Sequence, residues 1–443
     1  MGNFEAGSFA LDPRLLTKLG EEEDKFVTIL RDMVASCSGN SCADDGSCYD
    51  LVLRYLDLCP VGDIVEGNKD NPFYAFKLLF RMGNVLTEVN TKCTEGKGTF
   101  AVELAALINK LEVALGTAMP SLRDVEIAAE GMLKLQETYQ TSTAEFCNGK
   151  IAHHDFNETL SFLEILALGN FARNLDMVDV DITYLIQAKE VASSKKRKSM
   201  MAYLLKQAIT EHNTYWSERK EATDLERYGL FTTPIIPEEP LPVQTGTMLR
   251  QLKKTGEIPP TGELSMLNLC AGNNYQNEAE KATLKCWYET ESNHYFRIAP
   301  LKVELMSSNA RVNLRLIHNV IGSNDIEKLL TFTNDDMKQA AIVVDTVSDK
   351  PVVGMHRRSL QRRVNMGQTE FLAPVFKNIE MLSGIGFLAR GMSEDLQISE
   401  YSYVGSSINI HVDPKTTNFT NDVQKWERAV TCMIYVSETC LKG

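Results

Sequence analysis

Apolar residues recur three and four apart through the first half of the chain and alternate in twos through much of the second. In 11–36, Leu15, Leu16, Leu19, Phe26, Ile29, Leu30 and Met33 share one side of a helix, and Glu21-Glu22-Glu23-Asp24-Lys25 forms a polar patch. Asn71-Pro72 opens a second amphipathic segment with Phe73, Phe76, Leu79, Phe80, Met82 and Val85, and a third spans about 99–116. These segments predict an elongated or paired helical unit. From Pro120 to about 228 helix follows helix with short breaks. The successive apolar sets are Ala128/Ala129/Met132/Leu133/Leu135/Tyr139, then Leu160 to Leu168, then Tyr184/Leu185/Ala188/Val191, then Met200 to Tyr215. Paired short helices of this kind predict a tetratricopeptide-like unit, although the strict consensus of that repeat is absent.

Residues 231–262 break the periodicity with Pro234, Pro237, Pro240, Pro242, Pro259 and Pro260. The composition predicts an extended linker with polyproline II character; a self-binding peptide is the second reading. Beyond 290 the pattern predicts strands at Tyr295–Leu301, Lys302–Leu305, Ala341–Val347, Leu396–Tyr401, Ile408–Val412 and Ala429–Val436. Helices are predicted near 324–333 and 370–382. The chain therefore divides into a helical region at 1–118, a helical repeat-like unit at 119–230, a Pro-rich linker at 231–265 and a mainly antiparallel α+β unit at 266–443.

Several properties narrow the functional classes. A chain of 443 residues exceeds one ordinary core. The net charge of −13 argues against a nucleic-acid partner. No apolar run reaches the ~18 residues of a membrane-spanning helix. Lys195-Lys196-Arg197-Lys198 reads as a solvated helix end. Cys37, Cys42, Cys48 and Cys59 lie in a polar, Gly-rich stretch whose spacings fit no common zinc finger, so a disulfide-stapled loop is expected. The sequons at Asn157 and Asn418 are compatible with a secretory route. The N-terminus has no apolar signal-peptide core; either a signal has been removed or the numbering begins at a mature or partial chain.

The candidate chemistry lies near the end. Ile408, Ile410 and Val412 alternate with Asn409, His411 and Asp413, so His411 and Asp413 project to one side of a strand about 7 Å apart. An imidazole and a carboxylate so placed suit adjacent positions on one metal ion, and with a second His they would complete the facial triad of non-haem Fe(II) oxygenases. All seven histidines lie at or before 411. Set against this, a His-x-Asp on a strand is commonly packing or surface. His153-His154 reads as solvent-exposed. Arg357, Arg358, Arg362 and Arg363 read as a solvated loop, with steering of an acidic cosubstrate as the other reading.

A set of local sequences resembles, in order, the α subunit of collagen prolyl 4-hydroxylase. Glu22-Glu23-Asp24-Lys25 looks like that family's dimerisation segment, and Asn71-Pro72-Phe73-Tyr74-Ala75-Phe76-Lys77-Leu78 like its next helix. Ala128-Ala129 and Leu135-Gln136-Glu137-Thr138-Tyr139 resemble the first helix of its peptide-substrate-binding domain. Leu269-Cys270-Ala271-Gly272 with Cys286 resembles the disulfide loop opening its catalytic half. Leu301-Lys302-Val303-Glu304, Leu316 to Ile321, Arg363-Val364-Asn365 and Glu394 through Asp413 follow its strands and metal-bearing hairpin.

The resemblance implies hydroxylation of proline in collagen-like or proline-rich peptides with Fe(II), 2-oxoglutarate, O2 and ascorbate. It implies the endoplasmic reticulum lumen or secretion, protein disulfide isomerase as a partner subunit, and a homo-oligomer through the N-terminal helices. The C-terminal half would be a double-stranded β-helix, or jelly roll. His411 and Asp413 would be metal ligands, and Tyr401 would face 2-oxoglutarate. Tyr139, His153 and Phe156 would line the peptide groove, and Cys270 would pair with Cys286. The chain departs from the family where a second His and a 2-oxoglutarate-binding Lys are expected, tens of residues past Asp413. The expected groove tyrosines are replaced around His153, His154 and Phe156. A truncated enzyme, a catalytically inactive homologue acting as a peptide-binding or structural protein, and a site completed by a second chain all fit that departure.

Overall fold

The computed structural model describes residues 8–37, 46–59, 71–93, 98–218, 229–236, 239–242, 276–307, 313–333, 337–339, 357–387, 393–401, 404, 406–408 and 430–436. Its first half is helical. After a short α1 (Ser8–Leu11), α2 (Pro13–Ser36) starts at the N-cap Asp12, whose carboxylate accepts from Arg14 N–H, with Pro13 at the first helical position. The Cys-rich stretch forms a helix, α3 (Gly46–Leu58), where the sequence pattern predicts a loop. Cys48 on α3 is disulfide-bonded to Cys93, 45 residues away, and Cys37 is also disulfide-bonded, to a residue outside those described. Cys59 is a buried free thiol, pushed up to about 12 by desolvation. With Cys37 and Cys48 oxidised, the zinc alternative loses two of its thiolates.

Asn71 caps α4 (Pro72–Phe80), its side-chain oxygen accepting from Phe73 and Tyr74 N–H, again with Pro at the first position. The helix then widens into a π turn at Arg81–Val85 before α5 (Leu86–Cys93). That turn buries Arg81, Met82, Gly83 and Val85 together. A Cβ on Gly83 would stand 2.8 Å from Val125, so the glycine allows the close approach of α7. Next come α6 (Thr99–Leu115), α7 (Leu122–Thr138) and the short α8 (Thr143–Cys147). A two-stranded hairpin follows, β1 (Lys150–Ile151) with β2 (His154–Asp155). Then α9 (Phe162–Asn174), α10 (Val178–Val191) and α11 (Lys195–Glu218) pack in succession, joined by short connections. One hydrophobic cluster runs from Phe9 through these helices to Ile235.

The second half holds small antiparallel sheets. One orders β3 (Cys286–Glu289), β4 (Leu301–Ser307) and β5 (Leu314–Ile317). Another orders β6 (Lys338–Gln339), β8 (Leu360–Val364) and β9 (Leu396–Glu400), and β7 (Arg357–Arg358) pairs with β10 (Ser407–Ile408). Two helices, α12 (Ser323–Thr333) and α13 (Ala373–Ser383), form a small separate core around Leu329, Leu372, Val375 and Phe376.

Several sequence expectations change here. Tyr295–Ile298 is a helical turn, not a strand, because Asn293 turns back and its side-chain oxygen accepts from Tyr295 N–H. Residues 430–436 join no ladder among the described residues. The predicted strand at Ala341–Val347, and 409–412 of the one at Ile408–Val412, lie outside the described residues. Residues 231–236, assigned by composition to the linker, are docked: Phe231 and Ile235 are buried in the helical core. The arginine run is not a solvated loop. Arg358 is 3 % exposed, and Arg362 sits over the Phe332 ring at 4.3 Å while donating to the Phe332 carbonyl. Arg363 is exposed.

Candidate functional site

The C-terminal end of α7 and the β1–β2 hairpin meet on one side of the helical middle. Thr141, two residues past Tyr139, accepts from Ala152 N–H at 3.3 Å. Tyr139 is half-buried as the C-cap of α7, and His153 is exposed at the hairpin turn. Phe156 does not face outward with them. Its ring lies 5.6 Å from that of Phe73, its N–H donates to Gly149 O, and it packs on the main core. Phe156 thus anchors the hairpin, while Tyr139 and His153 remain reachable by a peptide.

Asn157 is exposed in a left-handed turn (φ 52°), held by donation of its N–H to Asp155. This leaves its side-chain amide open to solvent. Tyr401 is exposed immediately after β9. Cys286 is a free, exposed thiol on β3, so the bond to Cys270 implied by the resemblance is not formed. His411, Asp413, Cys270 and Asn418 lie outside the described residues. Among the described residues no group of His, Cys, Asp and Glu could hold a metal ion.

Three polar constellations escape sequence periodicity, because each joins residues far apart in the chain. The first ties α7, α8 and α10: buried Tyr184 donates to Gln136 Oε1 (2.7 Å), Gln136 Nε2 donates to Thr143 (3.0 Å), and Thr143 donates to Thr183 (2.8 Å). A helix pattern marks Tyr184 as core, but its 3.6-residue period carries no information about a partner 48 residues away. The second docks residues 231–236 on α11. Phe231 N–H donates to His212 Nε2 at 2.9 Å, and Asn213 pairs with both N–H and C=O of Ile235. The third surrounds Glu130 on α7.

His212 yields a pH prediction. Its Nε2 lone pair accepts from Phe231, so the ring must be neutral, and burial holds its pKa below the ordinary 6.5. The unfolded imidazole binds a proton that the folded one refuses, so the docked segment loses stability as pH falls below about 6.5. Amide exchange at 231–236 is expected to quicken between pH 7 and pH 5 relative to α11 after correction for intrinsic rates. His212→Asn should weaken that dependence; an unchanged pH profile in the variant would remove His212 as its source.

The sequence comparisons fit this architecture. Residues 62–153 match the family model for the N-terminal region of the prolyl 4-hydroxylase α subunit. That interval contains α4 to α8 and reaches the hairpin turn. Prolyl 4-hydroxylase subunit alpha-1 of Caenorhabditis elegans is 23 % identical over 409 residues, covering 85 % of this chain and 69 % of its own. Subunit alpha-2 of the same organism is 22 % identical over 390 residues, covering 83 % and 69 %. No solved structure matches significantly. Together these matches support kinship with the prolyl 4-hydroxylase α-subunit family. No helix among the described residues is long and apolar enough to cross a membrane.

Proposed function

We propose that this chain acts as a prolyl 4-hydroxylase α subunit, hydroxylating proline in collagen-like or proline-rich peptides. The observation that carries the reading is the extent of the match, which runs over 85 % of the chain and includes the helical region of the family model. The helical middle, with Tyr139 and His153 reachable at the end of α7, would bind the peptide. The C-terminal half, proposed to be a jelly roll, would carry the chemistry.

The donor set of His411 and Asp413, one imidazole and one carboxylate that the sequence alternation would put on one side of a strand, suits Fe(II). Bound there, Fe(II) with 2-oxoglutarate would supply O2 activation, and ascorbate would keep the metal reduced. His411 and Asp413 would hold the ion, and exposed Tyr401 would meet the cosubstrate. Residence in the endoplasmic reticulum lumen or secretion, and pairing with protein disulfide isomerase, belong to the same proposal. So does glycosylation at Asn157 and Asn418. A homo-oligomer through residues 1–118 would use the apolar positions left exposed there, Ile29, Leu53, Val102 and Val113.

The test is 2-oxoglutarate turnover with Fe(II), ascorbate and a Pro-Pro-Gly repeat peptide. Peptide-dependent turnover is expected, and His411→Ala should lower it to background. No turnover and no bound iron in native material would replace this reading with that of a catalytically inactive, peptide-binding homologue.

A further inference from the structure

The third constellation lies where the two halves meet. Glu130, on the buried side of α7, is 7 % exposed. Its Oε1 pairs with Lys134 Nζ at 3.0 Å, one turn along the same helix, and its Oε2 pairs with Arg358 Nη2 at 2.7 Å. Lys134 reaches on to Ser407 Oγ at 3.4 Å. Arg358 and Ser407 are register partners in the β7–β10 pair, so α7 grips both strands. Val404, just before β10, is 1 % exposed and belongs to the same hydrophobic cluster as the helices. Burial costs the Glu130 carboxylate solvation, and the two cations outweigh that, leaving its pKa below the ordinary value.

The position of this contact in the chain gives it consequence. α7 ends at the proposed peptide face, at Tyr139. β10 ends at Ile408, and His411 follows three residues later, which limits it to about 10 Å from Ile408. A single buried carboxylate therefore joins the peptide-side helix to the strand that leads into the metal motif. Glu130 and Arg358 are 228 residues apart in sequence, and nothing in the local pattern of either pairs them.

We propose that Glu130 is a positioning residue in a latch between the two halves, fixing the β7–β10 strand pair on α7 through Lys134 and Arg358. Ligand binding at the peptide face and at the His411/Asp413 motif would then be coupled. The coupling clause rests on the function proposed above; the latch itself does not. Linkage makes any such coupling reciprocal, so peptide would strengthen metal binding by the factor by which metal strengthens peptide binding.

The test uses the full chain and hydrogen–deuterium exchange. Glu130→Gln and Arg358→Met are each expected to speed exchange across 357–364 and 404–408 by about tenfold or more, with 162–218 unchanged. The charge-exchanged double variant, Glu130→Arg with Arg358→Glu, restores an opposite-charge pair across the contact and should recover part of the protection, less the like-charge repulsion it introduces with Lys134 one turn along α7. Wild-type exchange rates in both single variants would overturn the latch. A uniform rise through all helices would also overturn it, making Glu130 a core residue of the helical unit alone. In a separate arm, Mn(II) binding is followed by electron paramagnetic resonance with and without a Pro-Pro-Gly repeat peptide. Peptide should tighten Mn(II) binding in the wild type and have a smaller effect in Glu130→Gln. If the wild type binds no Mn(II), the functional reading and the coupling fail together, and the exchange result still decides the latch.

Discussion

Arg81→Ala is expected to destabilise the N-terminal helices by about 3–5 kcal/mol, the range for removing one partner of a buried ion pair. The Arg81 and Glu23 side chains are each 2 % exposed. Arg81 Nε and Nη2 donate to the two carboxylate oxygens of Glu23 at 2.8 and 2.6 Å, a two-pronged pairing, and Tyr55 donates to Glu23 Oε1 at 3.1 Å. Removing the guanidinium leaves Glu23 buried with only a phenol to solvate it. Burial also pushes the Tyr55 hydroxyl well up, so Tyr55 stays a neutral donor and cannot replace the lost cation. The stability of the intact pair relative to an apolar pair is a different quantity. Glu23→Leu with Arg81→Met should fall within about 1–2 kcal/mol of the wild type, because desolvating two ions offsets much of their attraction. Urea unfolding followed by circular dichroism separates the cases. A loss below about 1 kcal/mol in Arg81→Ala would mean that water reaches the Glu23 carboxylate and takes over its solvation.

That pair shows which parts of the fold the sequence makes legible. Glu23 reads as part of the polar patch at 21–25, since four of those five residues are acidic. In the structure Glu23 faces inward while Glu22 faces out to Lys25. The apolar stripe of α2, the Asn71-Pro72 start of α4 and the helices at 323–333 and 373–383 are legible because caps and 3.6-residue periodicity are local signals. The π turn at 81–85 is not, because it adds a residue to one turn without changing composition. The hairpin at 150–155 has strands of two residues, too short to establish an alternation. The docking of 231–236 depends on His212 and Asn213, whose backbone-pairing roles a helix pattern does not reveal. At the candidate site, the sequence alone points to His411 and Asp413, whereas the role of Glu130 comes from the structure. One is a local strand motif, the other a contact between distant segments.

The loop that carries His153, Phe156 and Asn157 depends on Gly149, and Gly149→Ala is expected to cost about 3–5 kcal/mol by adding overpacking to backbone strain. Gly149 has φ 79°, a conformation that costs an L residue about 1 kcal/mol or more. A Cβ there would stand 2.0 Å from the Glu158 carbonyl oxygen and 2.9 Å from its backbone N and C, none of which can swing aside like a side chain. The contact closes a loop held by Phe156 N–H to Gly149 O and Leu160 N–H to Cys147 O, both at 2.9 Å. Gly384 provides the control: its φ is 71°, yet nothing lies within 4 Å of its Cβ position. Gly384→Ala should therefore show the conformational cost alone, about 1 kcal/mol. The difference between the two variants measures the clash. Gly149→Asn, which tolerates the left-handed conformation, should stay nearly as unstable as Gly149→Ala, because its Cβ meets the same carbonyl. Thermal unfolding ranks the set. If Gly149→Ala and Gly384→Ala lose the same stability, the 147–160 loop yields to the methyl group. In that case the approach of Gly149 to Glu158 does not hold His153 and Asn157 in place.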